Sequence, residues 1–258
     1  MCGFVPKTPK NHLSSFHILF HSIINHMSKL ALLFLLLPIC LTAQKMGFDD
    51  IDGRHLKPWL VKDKKAYQMA YHFGDSEAES NLLLLVDAGK CYAQISWGEW
   101  TDNGAKWLKR FETLSNVRIE GNRFFSSKTN GEFVLYIDKG DTTRCLKVYQ
   151  PWSGVTAKGQ YEVGFVAGKA ELFVDGQFPQ ASLRQLNAAE LAKMPKADLQ
   201  LMRNEIYARY GYLFKAGGAM HTHFSKQDWY QGQYADVNKF LTELEHSNLQ
   251  LIQAAENK

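Results

Sequence analysis

The sequence is short of the features that would name a chemistry. It has no Gly-x-Ser-x-Gly setting for a nucleophile and no glycine-rich phosphate loop, so neither that class of hydrolase nor a P-loop nucleotide site is expected. It has no apolar run of the roughly twenty residues needed to cross a bilayer. Cysteine is scarce: there are four, and only Cys91 and Cys145 lie beyond the N-terminal segment. Proline is absent from Leu82 to Gln150, which favours well-paired strands there. A dominant charge is missing as well. The chain has 30 Lys and Arg against 26 Asp and Glu, but Lys7, Lys10 and Lys29 sit in a leader without acids, leaving 27 against 26. A near-neutral body offers no electrostatic footprint for nucleic acid, and none is expected as a partner.

The leader is the most informative stretch. Met27-Ser-Lys29 is a short basic start, Leu30 to Leu37 an apolar run, and Pro38 breaks it before Leu41-Thr-Ala43. That order is the charged, apolar and cleavable sequence of a secretory signal peptide, with cleavage expected after Ala43. Residues 1–26 hold no acidic residue and read as an upstream extension, with Met27 the expected start. Lipidation at Cys40 is disfavoured, because Ile39 is not the small residue a lipobox places there. The expectation is an exported protein, periplasmic or extracellular, with no transmembrane anchor once the leader is removed. In an oxidising compartment the remaining pair, Cys91 and Cys145, is expected to form a disulfide, the alternative being two buried thiols.

Beyond residue 43 the hydrophobic period changes once. Leu82-Leu-Leu-Leu-Val86 ends at Asp87-Ala-Gly89 and returns as Cys91 to Ile95. Glu132 to Ile137 turns at Asp138-Lys-Gly140 and returns as Cys145 to Tyr149; Val117 to Ile119 turns at Gly121-Asn122 into Phe124-Phe125. Gly168 and Gly176 bracket a further expected strand, Ala170 to Val174. Short strands with Gly and Asp turns predict an antiparallel meander closing into a barrel or sandwich. From Leu183 the pattern is helical: a segment to Leu191, then, past Pro195, Leu199, Met202, Ile206 and Tyr207, with Gly211 as a C-cap. Met220 and Phe224, then Phe240, Leu244, Leu251 and Ile252, mark two more helical stretches. The fold class is therefore α+β: leader 1–43, antiparallel β domain 44–180, small helical domain 181–258.

Arg203-Asn-Glu-Ile-Tyr-Ala-Arg-Tyr-Gly211, with Tyr212 and Phe214 after it, resembles the central motif of the YARHG domain. Phe224, Trp229-Tyr230, Leu241 to Glu245 and Asn248-Leu249 continue the likeness over roughly residues 183–256. The resemblance implies a short extracellular module of bacteria, associated with attachment to or action on the cell wall. One position departs from the pattern: the motif histidine is Tyr210 here, and a phenol does not titrate near neutrality. Either an aromatic ring fills a structural place in the family, or this copy binds without the chemistry a histidine would bring.

Arg203, Asn204, Glu205, Tyr207 and Arg209 form the densest polar cluster on an expected helix, with Trp229 and Tyr230 nearby in the family pattern. As a ligand platform they would hold carboxylates or sugars; as a structural network they would clamp the Trp229-Tyr230 loop. Arg203 and Tyr207 share one helix face and Glu205 and Arg209 another, an i,i+4 pair in the favourable order worth a few tenths of a kcal/mol on an exposed face. His221 and His223 would diverge on a helix, and no metal site is expected. His72, Asp75 and Glu77 could serve acid–base chemistry if gathered in a pocket, or be loop polarity. Trp97, Trp100, Trp107 and Trp152, with Tyr149, could fill a barrel or line a binding mouth. No cofactor is expected. The leading expectation is a non-catalytic binder of peptidoglycan or another surface glycan, with an envelope-polymer hydrolase and a lipocalin-like carrier as alternatives.

Overall fold

The computed structural model describes residues 51–154, 156 and 159–258. The expected signal peptide, its cleavage site and Cys40 lie outside the described residues.

Ten strands build one antiparallel sheet: β1 (Leu56–Pro58), β2 (Met69–Phe73), β3 (Ser80–Asp87), β4 (Lys90–Trp100), β5 (Trp107–Leu114), β6 (Arg118–Glu120), β7 (Arg123–Phe125), β8 (Asn130–Asp138), β9 (Asp141–Val148) and β10 (Glu162–Lys169). Nine follow the order β5-β4-β3-β2-β10-β9-β8-β7-β6, and β1 pairs with the remainder of the β8 edge. The sheet curls, so that β6 at one end of the path returns against β4 near the other. Two hairpins close on two-residue turns with both φ angles positive, Ala88-Gly89 and Lys139-Gly140, the geometry that matches the right-handed twist of flanking strands. Inside the curl, Tyr67, Tyr71, Phe73, Leu82, Leu84, Ile95, Phe124, Phe133 and Leu146 are fully buried. Tyr67 stacks on Phe133 at 3.8 Å, and Trp59 meets Tyr67 edge-on at 4.9 Å. Its own side chains thus occupy the space that a lipocalin-like carrier would keep for a ligand.

The helical region follows: α1 (Gln180–Leu183), α2 (Ala188–Leu191), α3 (Lys196–Arg209), α4 (Ala219–Phe224) and α5 (Glu243–Glu256). It docks on the outer face of the sheet. Leu83 and Leu85 of β3 point that way and pack with Ala170, Leu183 and Leu244, while Leu82 and Leu84 point inward. Burial on both faces is why the sequence shows a continuous apolar run rather than alternation. The second core joins Leu199, Met202 and Ile206 of α3 to Leu249 and Ile252 of α5 and to Phe240. Helix α5 opens on a reciprocal capping box between Thr242 and Glu245, which satisfies two orphan backbone donors.

Four expectations are corrected. Cys91 and Cys145 are free thiols: β3, β2 and β10 separate their strands in the sheet, and Cys145 is buried from both sides between β8 and β10. Burial pushes the Cys145 thiol up to about 12, the behaviour of an inert core cysteine. Ala170 to Val174 is not a strand; Ala170–Phe173 is a 3-10 turn, entered after a register shift between Val166 and Gly168 releases β10 from β2. The helix expected from Leu183 to Leu191 is broken: Gln180–Leu183 and Ala188–Leu191 are separate single turns. Finally, Glu205 and Arg209 are no surface pair: their side chains are only 2% and 8% exposed.

Candidate functional site: a cleft between sheet and helices

The motif helix α3 ends in a network of buried polar groups. Glu205 accepts the backbone N–H groups of Gln177 and Phe178, each at 2.7 Å, and pairs with Arg209. Its carboxylate fills the space a Cβ at Gly176 would need, and Gly176 has φ +110°, so only glycine lets the chain wrap this closely. Arg209 donates through Nε to the Asp175 carbonyl (2.6 Å) and through Nη1 to Ser182 Oγ (2.8 Å). Desolvation lowers the Arg209 pKa, opposed by the Glu205 and Glu245 carboxylates. Ser182 Oγ in turn donates to Glu245 Oε1 at 2.6 Å, and Tyr210 Oη donates to Glu245 Oε2 at 2.7 Å. Burial, then the Glu245 charge, raises the Tyr210 phenol well above its ordinary range.

Tyr210 also joins the two regions. The Gln94 amide of β4 donates to its hydroxyl at 3.1 Å and to the Phe240 carbonyl at 2.7 Å, and Phe111 of β5 meets the ring edge-on at 5.0 Å. The position where the motif has histidine is thus a buried aromatic bridge between helix and sheet. Gly211 follows with φ +75°, and a Cβ there would lie 2.5 Å from the Gln231 carbonyl. Past it, the 231–234 segment covers the free edge of β5: Gln233 Oε1 accepts the Lys109 N–H (3.0 Å) and Tyr234 Oη donates to the Lys109 carbonyl (2.6 Å). Side chains thereby cap an edge that would otherwise be open to pairing with another chain.

Above this network lies a cleft of about 360 Å³. Its sheet wall carries Asn81 and Leu83 of β3, Gln94, Ser96 and Gly98 of β4, and Trp107, Lys109 and Phe111 of β5. Its helical wall is Ser182, Arg209, Tyr210, Thr242 and Glu245, and the turn Leu172 to Asp175 forms one lip. Leu172 is 76% exposed there. On the sheet side the Trp107 indole occupies the space over Gly98 that a side chain at 98 would take. Trp100, 51% exposed, meets it at 5.2 Å and donates from Nε1 to Glu77 at 3.2 Å. Aromatic and aliphatic lips over a hydrogen-bonding floor make a site suited to a ligand with both apolar and polar faces.

Of the seven residues singled out for binding, Arg209 alone lines this cleft, with Glu205 directly behind it. Arg203 pairs with Glu256 at 2.7 Å and Asn204 donates to the Gln200 carbonyl at 2.7 Å, both away from it. Tyr207 rests against Tyr212. Trp229 and Tyr230 pack on Phe224, and Tyr230 Oη donates to the Tyr212 carbonyl at 2.7 Å. The tryptophans divide: Trp97 and Trp152 pack against the core inside the curl, Trp97 also lining the cleft, whereas Trp100 and Trp107 stand outside that core. Tyr149 lies apart, donating to Glu132 at 2.7 Å, with its phenol pushed up to about 12 by burial and that carboxylate. His72, Asp75 and Glu77 do not gather in the cleft; His72 Nδ1 sits 3.2 Å from Asn81 Oδ1, and Asp75 precedes the turn Ser76–Ala78. His221 and His223 are on α4, and no group of three His, Cys, Asp or Glu among the described residues could hold a metal. Among the described residues no helix is long and apolar enough to cross a membrane. Sequence reasoning missed Asn81, Gln94, Ser96 and Lys109, which carry no local signature, and Leu172 and Phe173, read there as strand.

These features define a class: an α+β protein in which a helical module docks on the outer face of a curled antiparallel sheet and shares a cleft with it. Residues 177–257, which span the module, match the sequence model of the YARHG domain family. No curated protein and no solved structure is similar enough to match the chain.

Proposed function

We propose that the protein is an exported, non-catalytic binding protein of the cell envelope whose ligand, a cell-wall or surface glycan, lies in the cleft between sheet and helices. The signal-peptide pattern and the extracellular character implied by the YARHG resemblance support the compartment. The observation that carries the ligand class is the Trp107 indole lying over Gly98 beside Asn81, Ser96 and Gln94. A pyranose ring has one apolar face and a rim of hydroxyls, and an aromatic plate flanked by amides and a hydroxyl complements both.

The helical module supports the site from beneath, since Glu205 and Arg209 are held by each other and by neighbouring backbone. Co-sedimentation of residues 45–258 with insoluble peptidoglycan tests the reading. The intact protein is expected in the pellet and Trp107→Ala in the supernatant, with Trp229→Ala binding as the parent does. Retention of Trp107→Ala in the pellet would remove the cleft from the account.

A further inference from the structure

We propose, building on that reading, that the cleft selects a cationic ligand: a glycan or glycopeptide bearing free amino groups rather than an acidic one. The argument is the arrangement of charge. Three carboxylates line the cleft, Glu79, Asp175 and Glu245, against two cations, Lys109 and Arg209. Arg209 is already matched, because its guanidinium pairs with Glu205, which sits behind the wall. That leaves Lys109 alone against three acids.

Glu245 sharpens the imbalance. It is 2% exposed, and every donor it accepts is neutral: the hydroxyls of Ser182 (2.6 Å), Tyr210 (2.7 Å) and Thr242 (3.0 Å) and the Thr242 N–H (2.9 Å). Among the described residues no cation pairs with it directly. Arg209 pairs with Glu205 and reaches Glu245 only through Ser182 Oγ, so one guanidinium faces two buried carboxylates, and the low-dielectric wall directs the remaining field into the open side of the cleft. Glu79 and Asp175 stand exposed at the rim, where they add to the same potential. A protonated amine entering between Trp107 and the Leu172 lip gains a favourable field from all three. A uronate or phosphate meets the opposite field, with Lys109 its single attractive contact.

Calorimetric titration of residues 45–258 with three soluble oligosaccharides tests this at about pH 6, where sugar amines carry charge. The probes are a glucosamine oligomer, its fully N-acetylated counterpart and a uronic-acid oligomer of equal length. The glucosamine oligomer is expected to bind about tenfold tighter than the N-acetylated one, with the preference falling as salt rises. Glu79→Gln and Asp175→Asn, both at exposed positions, are each expected to reduce that amino-over-acetyl preference several-fold. Equal binding of amino and N-acetyl oligomers, with both variants silent, overturns charge selection and leaves the glycan reading standing. Tightest binding of the uronic-acid oligomer also overturns it. If none of the three binds and peptidoglycan retention survives Trp107→Ala, the underlying reading fails as well.

Discussion

At the scale of single residues, the YARHG motif in this chain acts mainly as a clamp. Glu205 and Arg209 are desolvated together, and each would be left as an uncompensated buried charge by loss of the other. Glu205→Ala is therefore expected to destabilise by about 3–5 kcal/mol in urea unfolding. A loss below about 1 kcal/mol, the scale of an exposed pair, would mean that the site is open to water. Tyr210 carries a second consequence. Its folded-state pKa lies above the unfolded value near 10, so its contribution is fully present below that value and is lost as pH rises through the folded one. Tyr210→Phe removes this titration, and stability should fall less steeply above about pH 10 than in the parent; an unchanged slope contradicts a phenol held neutral by burial and the Glu245 charge. The variant also deprives Glu245 of a donor, at a cost of about 1–3 kcal/mol at neutral pH. The helical spacing that puts Glu205 beside Arg209 was legible in the sequence. Their burial was not, because it depends on the Asp175 to Phe178 loop folding over α3.

At the scale of elements, the hairpins and helices follow from local signals. Asp87-Ala-Gly89 and Asp138-Lys-Gly140 mark their turns plainly, and Pro195 and Gly211 bound α3 as expected. Errors arose where tertiary contacts decide. Ala170 to Phe173 has strand-like composition but leaves the sheet at the β10 register shift, and Asn248 is explained only by the fold: its amide satisfies the Ala181 and Arg184 carbonyls at 2.8 Å and accepts the Leu186 N–H at 2.9 Å. The cysteines looked suited to a bridge by count and compartment, and the strand order keeps them apart. Among the described residues, the outer face of β3 to β5 and the β5 edge are likewise covered by the helical module, with the Ala170–Phe173 turn beside it. A chain ending at residue 176 should expose Leu83, Leu85, Tyr92 and Phe111 together with an open edge. It is expected to aggregate, measured by light scattering, whereas the chain to residue 258 stays monodisperse in the same assay. A truncated chain as monodisperse and as stable as the parent would show that the two regions fold independently.

At the scale of the whole molecule, the cleft belongs to neither region alone. Its sheet wall, its turn and its helical wall come from segments spread between Glu79 and Glu245, so no local pattern announces it. What the sequence did single out were its ingredients: the tryptophans, of which Trp97 and Trp107 line the cleft and Trp100 flanks it, and the motif arginine in its helical wall. Filling of the barrel interior by aromatic side chains moves the candidate site to the outside of the sheet, and docking of the module there gives it depth.

The central claim, that the ligand lies against Trp107 rather than on the far side of the module, is tested most directly through the indole N–H signals. The chain has six tryptophans, so each can be followed in a ¹H–¹⁵N spectrum of residues 45–258 titrated with soluble peptidoglycan fragments. The account predicts that Trp97, Trp100 and Trp107, at or beside the cleft, shift on titration while Trp59, Trp152 and Trp229 hold their positions. Shifts at Trp229 with Trp100 and Trp107 unmoved would contradict it and place binding on the outer aromatic surface of the helical module.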